Sequence, residues 1–232
     1  GNSALVGIIG LADPVYGMMD RDTFIGWDRE TKRKRLKNVM DAFVLGAVPP
    51  YSNVLGGKLV SSLVASKEIK DDFRSKYRGI KSLISGEIFN GKLAAVTTLS
   101  AFGKSSVYDR IKIPSGPEFI HAGWTRGSGE FQFSQDIYEK IFEYMRNKEM
   151  PSKNPKWGTG IRNKRYVVNR ALKTLNMPST LLYHNIKREI FIIPLGKKSL
   201  KYLKGESERV EYYNLKYDEI GNYAMQRWVI PR

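Results

Sequence analysis

The chain has 232 residues, 41% of them hydrophobic and 12% aromatic, with no cysteine and two histidines. That length suffices for one large or two small domains with a buried core, while the composition excludes disulfides, thiolate catalysis and Cys-ligated zinc, and leaves a carboxylate site as the open metal chemistry. Lys+Arg 39 against Asp+Glu 23 gives a net charge of +16, which points to a polyanionic partner, nucleic acid first, and away from a membrane, since no apolar run reaches the roughly 18–20 residues of a span.

The opening "GNSALVGIIG" carries no signal-peptide pattern and no initial Met, so the expectation is a cytoplasmic protein with material missing upstream and non-native residues at Gly1–Ser3. "ALVGIIGLAD" reads as a buried strand, and "PVYGMMDRDTFIGWD" as a loop. "DRETKRKRLKNVM" reads as a helix N-capped by Asp28. "DAFVLGAVPP" is a central strand stopped by Pro49-Pro50, and "LGGKLVSSLVASKEIKDDFRSKY" is one long helix. "KLAAVTTLSAF" is the next strand, followed by a short helix over 105–111. "FIHAGW" and "GEFQF" form a hairpin across "TRGSG", and "SQDIYEKIFEYMRN" is an amphipathic helix capped by Ser134.

Alternating strands and helices predict an α/β domain over residues 1–148. The Pro/Gly/Lys-rich "KEMPSKNPKWGTG" then marks a linker into a smaller basic α+β region over 149–232. There, "IRNKRYVVNRALKTLNM" is a helix with Val167, Val168, Ala171 and Leu175 inside and a polar stripe of Arg162, Arg165, Asn169 and Lys173 outside. "KREIFIIPL" is a strand, "GKKSLKYLKG" a basic helix, and a last helix runs into "MQRWVIPR".

Four constellations carry candidate chemistry. Leu55, Gly56, Gly57 and Lys58 follow a strand into a helix N-terminus, where backbone amides suit a phosphate and glycine permits close approach; a tight packing turn explains them as well. Ser105 and Ser106 repeat that arrangement, with Tyr108 a turn in as a candidate proton donor whose ionised form Lys104 and Arg110 would favour; the plain alternative is a tyrosine packed on the sheet. Asp13, Asp20, Asp22 and Asp28 around Trp27 offer a carboxylate base, with Asp22 and Asp28 the candidates, or else pair with Arg21 and Arg29. The basic stripe of residues 162–173, joined by Lys187 and Arg188, suits phosphates, with Asn163 or Asn169 for a base edge and Trp157 or Tyr166 for stacking. His121 reads as buried beside Trp124, and His184 as a turn residue that either contacts a phosphate or base edge or, more commonly for a lone histidine, is structural. No metal site is predicted.

The stretches "LVGIIGLADPVYG", "RDTFIGWD", "MDAFVLGAVPPYSNVLGGKLVSSL", "TTLSAFGKSSVYDRI", "GWTRGSGEFQF", "WGTGIRNKRYVV" and "RWVIPR", taken in order, resemble the DruA family of Druantia anti-phage defence over nearly the whole chain. The resemblance implies bacterial defence against foreign DNA, other defence-system proteins as partners, and no settled reaction. The order strand, phosphate-type turn, helix, strand, Ser/Tyr helix, strand pair is similar to the GNAT acyltransferases and to the phage DNA-modifying Mom proteins. This second resemblance implies a mixed central sheet flanked by helices, a coenzyme A derivative as the candidate cofactor held at Leu55–Lys58, and Tyr108 as the acid. The turn departs from the GNAT pattern [QR]-x-x-G-x-[GA]: Ser52 and Leu55, or Tyr51 and Val54, stand where Gln/Arg and Gly belong. Three functions follow as expectations: a DNA-binding defence component that modifies or senses DNA, an acyltransferase acting on a small molecule or protein, and a non-catalytic defence scaffold.

Overall fold

The computed structural model describes residues 4–82, 86–127, 129–131, 133–148 and 161–231, with the side chains of 161–163 left out of the description. A five-stranded mixed sheet organises the chain. Its strands are β1 (Gly7–Ala12), β2 (Val39–Ala47), β3 (Ala95–Leu99), β4 (Ile120–Trp124) and β5 (Glu189–Pro194), in the spatial order β1-β2-β3-β5-β4. Only β2 and β3 run parallel; the other three pairings are antiparallel.

The central strands read as continuous apolar runs because both their faces are covered. On one face Met40, Ala42, Val96, Phe191 and Ile193 pack with Val64, Phe73 and Ile220, which belong to or adjoin α3 (Gly56–Leu63), α4 (Lys67–Tyr77) and α8 (Tyr217–Ala224). On the other, Val39, Ala95, Ile190 and Ile192 pack with Ile25, Tyr202 and Leu203. These last three come from α1 (Met19–Ile25) and α7 (Ser199–Lys204), beside which α2 (Arg29–Arg35) lies.

Two compact units result: residues 1–125 with 187–232, and residues 126–186. The second is a chain insertion between β4 and β5. In it α5 (Gln135–Asn147) and α6 (Ile161–Thr174) share a small core of Tyr138, Met145, Val167, Val168, Ala171 and Leu182. The expected boundary at 148/149 therefore falls inside an insertion. The strand of residues 189–194, placed in a separate basic region from sequence, lies inside the main sheet, between β3 and β4.

Other local expectations are corrected too. The segment 19–25, read as loop, is α1; Arg21 and Ile25, one turn apart, are its buried side. The long helix over 55–77 is broken at Val64–Ser66 into α3 and α4. Among the described residues of "GEFQF", the pairing is an isolated bridge between Glu130 and Tyr183, and β4 pairs instead with β5, Ile120 facing Ile192. Leu175, expected inside, is 50% exposed.

Candidate functional site: the open end of the parallel pair

The pairing of β2 with β3 runs only from Val39–Ala95 to Ala42–Thr98, although β2 continues to Ala47. At the same point the register of β2 against β1 slips, Gly10 facing Val44 while Leu11 faces Ala42, so Phe43 is an extra residue. A bulge of this kind bends and twists its strand. The far half of β2 is thereby freed from β3, and its carbonyls on that side need other donors. Side chains supply them. Thr98 Oγ1 donates to the Ala42 carbonyl at 2.9 Å, and the Tyr108 hydroxyl donates to the Leu45 carbonyl at 3.1 Å.

Tyr108 is accordingly a packed residue. It is 8% exposed, its ring lies 6.0 Å from Phe119 and 5.6 Å from Phe191, and burial raises its pKa above the ordinary tyrosine value. The expected influence of Lys104 and Arg110 is absent from the causes: burial acts first, opposed by a hydrogen bond with Thr98. Residues 106–110 form turns and not a helix. The Ser105 amide donates to Glu189 Oε2 at 2.7 Å, and the Ser105 hydroxyl accepts from the Tyr108 amide. An anion is thus already seated on that turn, and it is the chain's own carboxylate. Ser106 faces the neighbouring cleft.

The first turn is built for close packing and then opens outward. Leu55 has φ 59°, a left-handed conformation, before Gly56 starts α3. A Cβ on Gly56 would sit 2.5 Å from the Tyr51 carbonyl oxygen, whereas one on Gly57 would meet Val107 at an ordinary 3.6 Å. Gly56 is required by packing; Gly57, half-buried, lines the cleft. Lys58 crosses between the turns, its ammonium donating to the Val107 and Asp109 carbonyls at 3.0 and 2.9 Å. Burial lowers its pKa, with Asp109 opposing.

A cleft of about 1040 Å³ lies along these turns, walled on the far side by Tyr223, Arg227 and Trp228. Lys58, Arg110, Lys112 and Arg227 bring four positive charges to its lining, and Asp109 is the one acid there. Lys112 has a partner outside the lining, Glu118 at 3.3 Å, and Arg110 sits 3.8 Å from Asp109, both pairs well exposed to solvent.

Three of the four aspartates around Trp27, Asp20, Asp22 and Asp28, are engaged by neighbouring groups. Asp28 caps α2, accepting from the Thr31 amide at 2.7 Å, and that hydrogen bond lowers its pKa. Asp22 holds the fully buried Arg21 at 2.7 Å and Lys32 at 2.5 Å. Asp20 accepts from the Trp124 amide. Asp13 lines a separate groove with Tyr16, Arg33 and Lys34. Among the described residues no group of three or more His, Asp or Glu is placed to hold a metal.

In the inserted unit, Arg165 pairs with Glu130 at 2.8 Å, and the Asn169 amide donates back to the Arg165 carbonyl. Lys173 and Tyr166 are exposed. The side chains of Arg162 and Asn163, and Trp157 entirely, lie outside the described residues. Lys187 and Arg188 belong to the main unit, where Arg188 forms a bridge with Gly103. His184 Nδ1 accepts from the Ile186 amide, a turn role as expected. His121, expected buried, is exposed, with Nε2 3.8 Å from Glu189 Oε1. Sequence reading missed Arg227 and Trp228 as cleft walls, because they lie far along the chain from both turns, at 55–58 and 106–110; only the last helix's basic end hinted at it.

The molecule is thus an α/β protein with a basic cleft where a parallel strand pair parts. The family model for Druantia protein DruA matches residues 1–205. A Druantia protein DruA from Escherichia coli (strain UMEA 4076-1) is 36% identical over 235 residues, covering all of this chain and 58% of its own length. The chain belongs to the DruA family, and it spans a little under three-fifths of that curated relative. No solved structure matches it. Among the described residues no helix is long and apolar enough to cross a membrane.

Proposed function

We propose that this chain is a nucleic-acid-binding part of a bacterial anti-phage defence system, with DNA as its polyanion and other proteins of that system as its partners. The observation that carries this is the cleft at the parted strands, lined by four cations against one acid. Phosphate groups are the common anion matched by guanidinium forks and helix-start amides together. The family membership and the +16 charge support the same reading. The exposed cations of α6, Arg165 and Lys173, supply a second candidate contact on the inserted unit.

The GNAT-like alternative draws support from the parallel pair that parts beside a glycine turn. Its chemistry is less well served. Tyr108 spends its proton on Leu45 and Ser105 spends its amide on Glu189. A coenzyme A derivative would be held at Leu55, Gly57, Lys58 and Ser106, the turn residues that do line the cleft.

The test is binding of a labelled 20-base-pair duplex across a salt series. With six phosphates neutralised, affinity should fall roughly a thousandfold between 50 and 200 mM salt, and Lys112→Ala with Arg227→Ala should weaken it for all sequences alike. Absence of binding at 50 mM salt, or indifference to salt, overturns the reading. A thermal shift with coenzyme A in place of DNA would move the assignment to the acyltransferase.

A further inference from the structure

A second cationic cavity lies elsewhere on the main unit and shares no lining residue with the cleft. Its volume is about 460 Å³, and its lining includes Lys70, Arg74, Arg78 and Lys92. Lys70 and Arg74 stand one turn apart on α4, and Arg78 is the extended residue that ends it. Lys92 comes from the loop that leads into β3. No carboxylate lines the cavity.

The construction is specific. Lys70 is held by the Asn214 side-chain oxygen and lies 4.8 Å from the Tyr212 ring centroid, with Asp71 3.4 Å away on its own helix. The Lys92 ammonium donates to the Glu208 carbonyl at 2.9 Å. Glu208's own carboxylate is taken by Arg35 at 2.8 Å. Gly91, at φ 71°, lets the loop pass so near Arg78 that a Cβ there would lie 2.7 Å from the arginine's own. Two lysines are thus fixed at the walls. Arg74 and Arg78 make no side-chain hydrogen bond or ion pair among the described residues. The helix dipole favours a cation near the end of α4. It does not account for Lys92 arriving from a separate segment, nor for a lining without a carboxylate.

We propose that this cavity is a phosphate-binding site, its ligand a nucleotide unit that is either free or part of a nucleic-acid backbone. The two guanidiniums supply the bidentate contacts and the lysines the fixed charge. The volume falls within the range of small-molecule sites and suits one such unit. The site does not depend on the cleft at the parted strands.

Two probes test it on the full chain: inorganic pyrophosphate by titration calorimetry, and the labelled duplex by anisotropy. The variants are Arg74→Ala with Arg78→Ala, the conservative Arg74→Lys with Arg78→Lys, and, for the other cleft, Lys112→Ala with Arg227→Ala. Both arginines are exposed, so the fold should survive, which circular dichroism checks. In a Lys112→Ala, Arg227→Ala background, which removes charge from the other cleft, pyrophosphate affinity should drop at least tenfold on adding the alanine pair and recover in part with the lysine pair. If the ligand is a nucleic-acid backbone, the alanine pair also loses about two from the slope of log affinity against log salt. If it is a free nucleotide, duplex binding is untouched while pyrophosphate binding is lost. Equal pyrophosphate binding by that background with and without the alanine pair, or none by the background, ends the proposal. Failure of duplex binding alone would instead count against the DNA-binding function and leave this site standing.

Discussion

Arg21 has no exposed surface, and a guanidinium removed from water needs a charged partner held in good geometry. Asp22 provides it, one oxygen accepting from both Arg21 Nε and Nη2 at 2.9 and 2.7 Å, and Lys32 completes the other oxygen. Asp22→Ala strands the buried charge and should cost about 3–5 kcal/mol in urea unfolding; an unchanged midpoint would return Asp22 to the list of candidate bases. Tyr212 makes a separate case. Burial, with Tyr202 nearby as the next cause, pushes its pKa up to about 12. An unfolded tyrosine ionises near 10. The folded state therefore keeps its proton where the unfolded state gives it up, and folding gains from this below pH 10 and loses the gain as pH climbs from about 10 to 12. Tyr108 and Tyr138 shift in the same direction. Urea midpoints measured between pH 9 and 12 should fall, and Tyr212→Phe should flatten the fall; a parallel decline in the variant would remove Tyr212 as its source.

Among the elements, the turn into α3 shows how closely two adjacent glycines can differ. Gly56→Ala drives a Cβ against the Tyr51 carbonyl, a backbone atom that cannot swing aside. It should be clearly destabilising, about 1–3 kcal/mol as overpacking goes. Gly57→Ala meets only Val107 methyls at ordinary distance and gains helix propensity, so thermal unfolding should show a change between zero and about 1 kcal/mol of stabilisation. Comparable losses in both would mean that the turn is not held as described. The same segment shows what periodicity can and cannot reveal. β3, β5 and the first half of β2 are legible because strands buried on both faces are largely apolar, and Asp28 is legible because capping is local. α1 is not: no cap side chain opens it, and its buried side begins with an arginine, which a polarity pattern assigns to solvent. The partner of β4 lies beyond an inserted unit, and pairing at such separation leaves no mark in either strand. At the candidate site the glycine turn and its place after β2 were readable. Which groups already satisfy it, Glu189 on Ser105 and Leu45 on Tyr108, came only from the tertiary arrangement.

At the scale of the whole molecule, the surplus of sixteen positive charges acts twice, with opposite signs. Toward a polyanion it is attractive, and salt weakens binding by competing for phosphates. Within the folded chain it is repulsive, because many of the acids are already committed: Asp22 to Arg21 and Lys32, Glu208 to Arg35, Glu211 to Lys198. Of the cations in the two cavities, Arg74, Arg78, Arg110, Lys112 and Arg227 lie exposed and repel one another through solvent. The Debye length shrinks from about 30 Å at 0.01 M salt to about 8 Å at 0.15 M, so added salt screens that repulsion between distant charges more than it weakens contacts of 3 Å or so. The unliganded protein should therefore melt at a higher temperature in 0.15 M than in 0.01 M sodium chloride. A short duplex at 0.01 M should raise the melting temperature further, and that second gain should vanish as salt is restored. A melting temperature that falls with salt in the absence of DNA would mean that exposed ion pairs outweigh the repulsion and that the cationic surplus is spread too thinly to form the proposed binding faces.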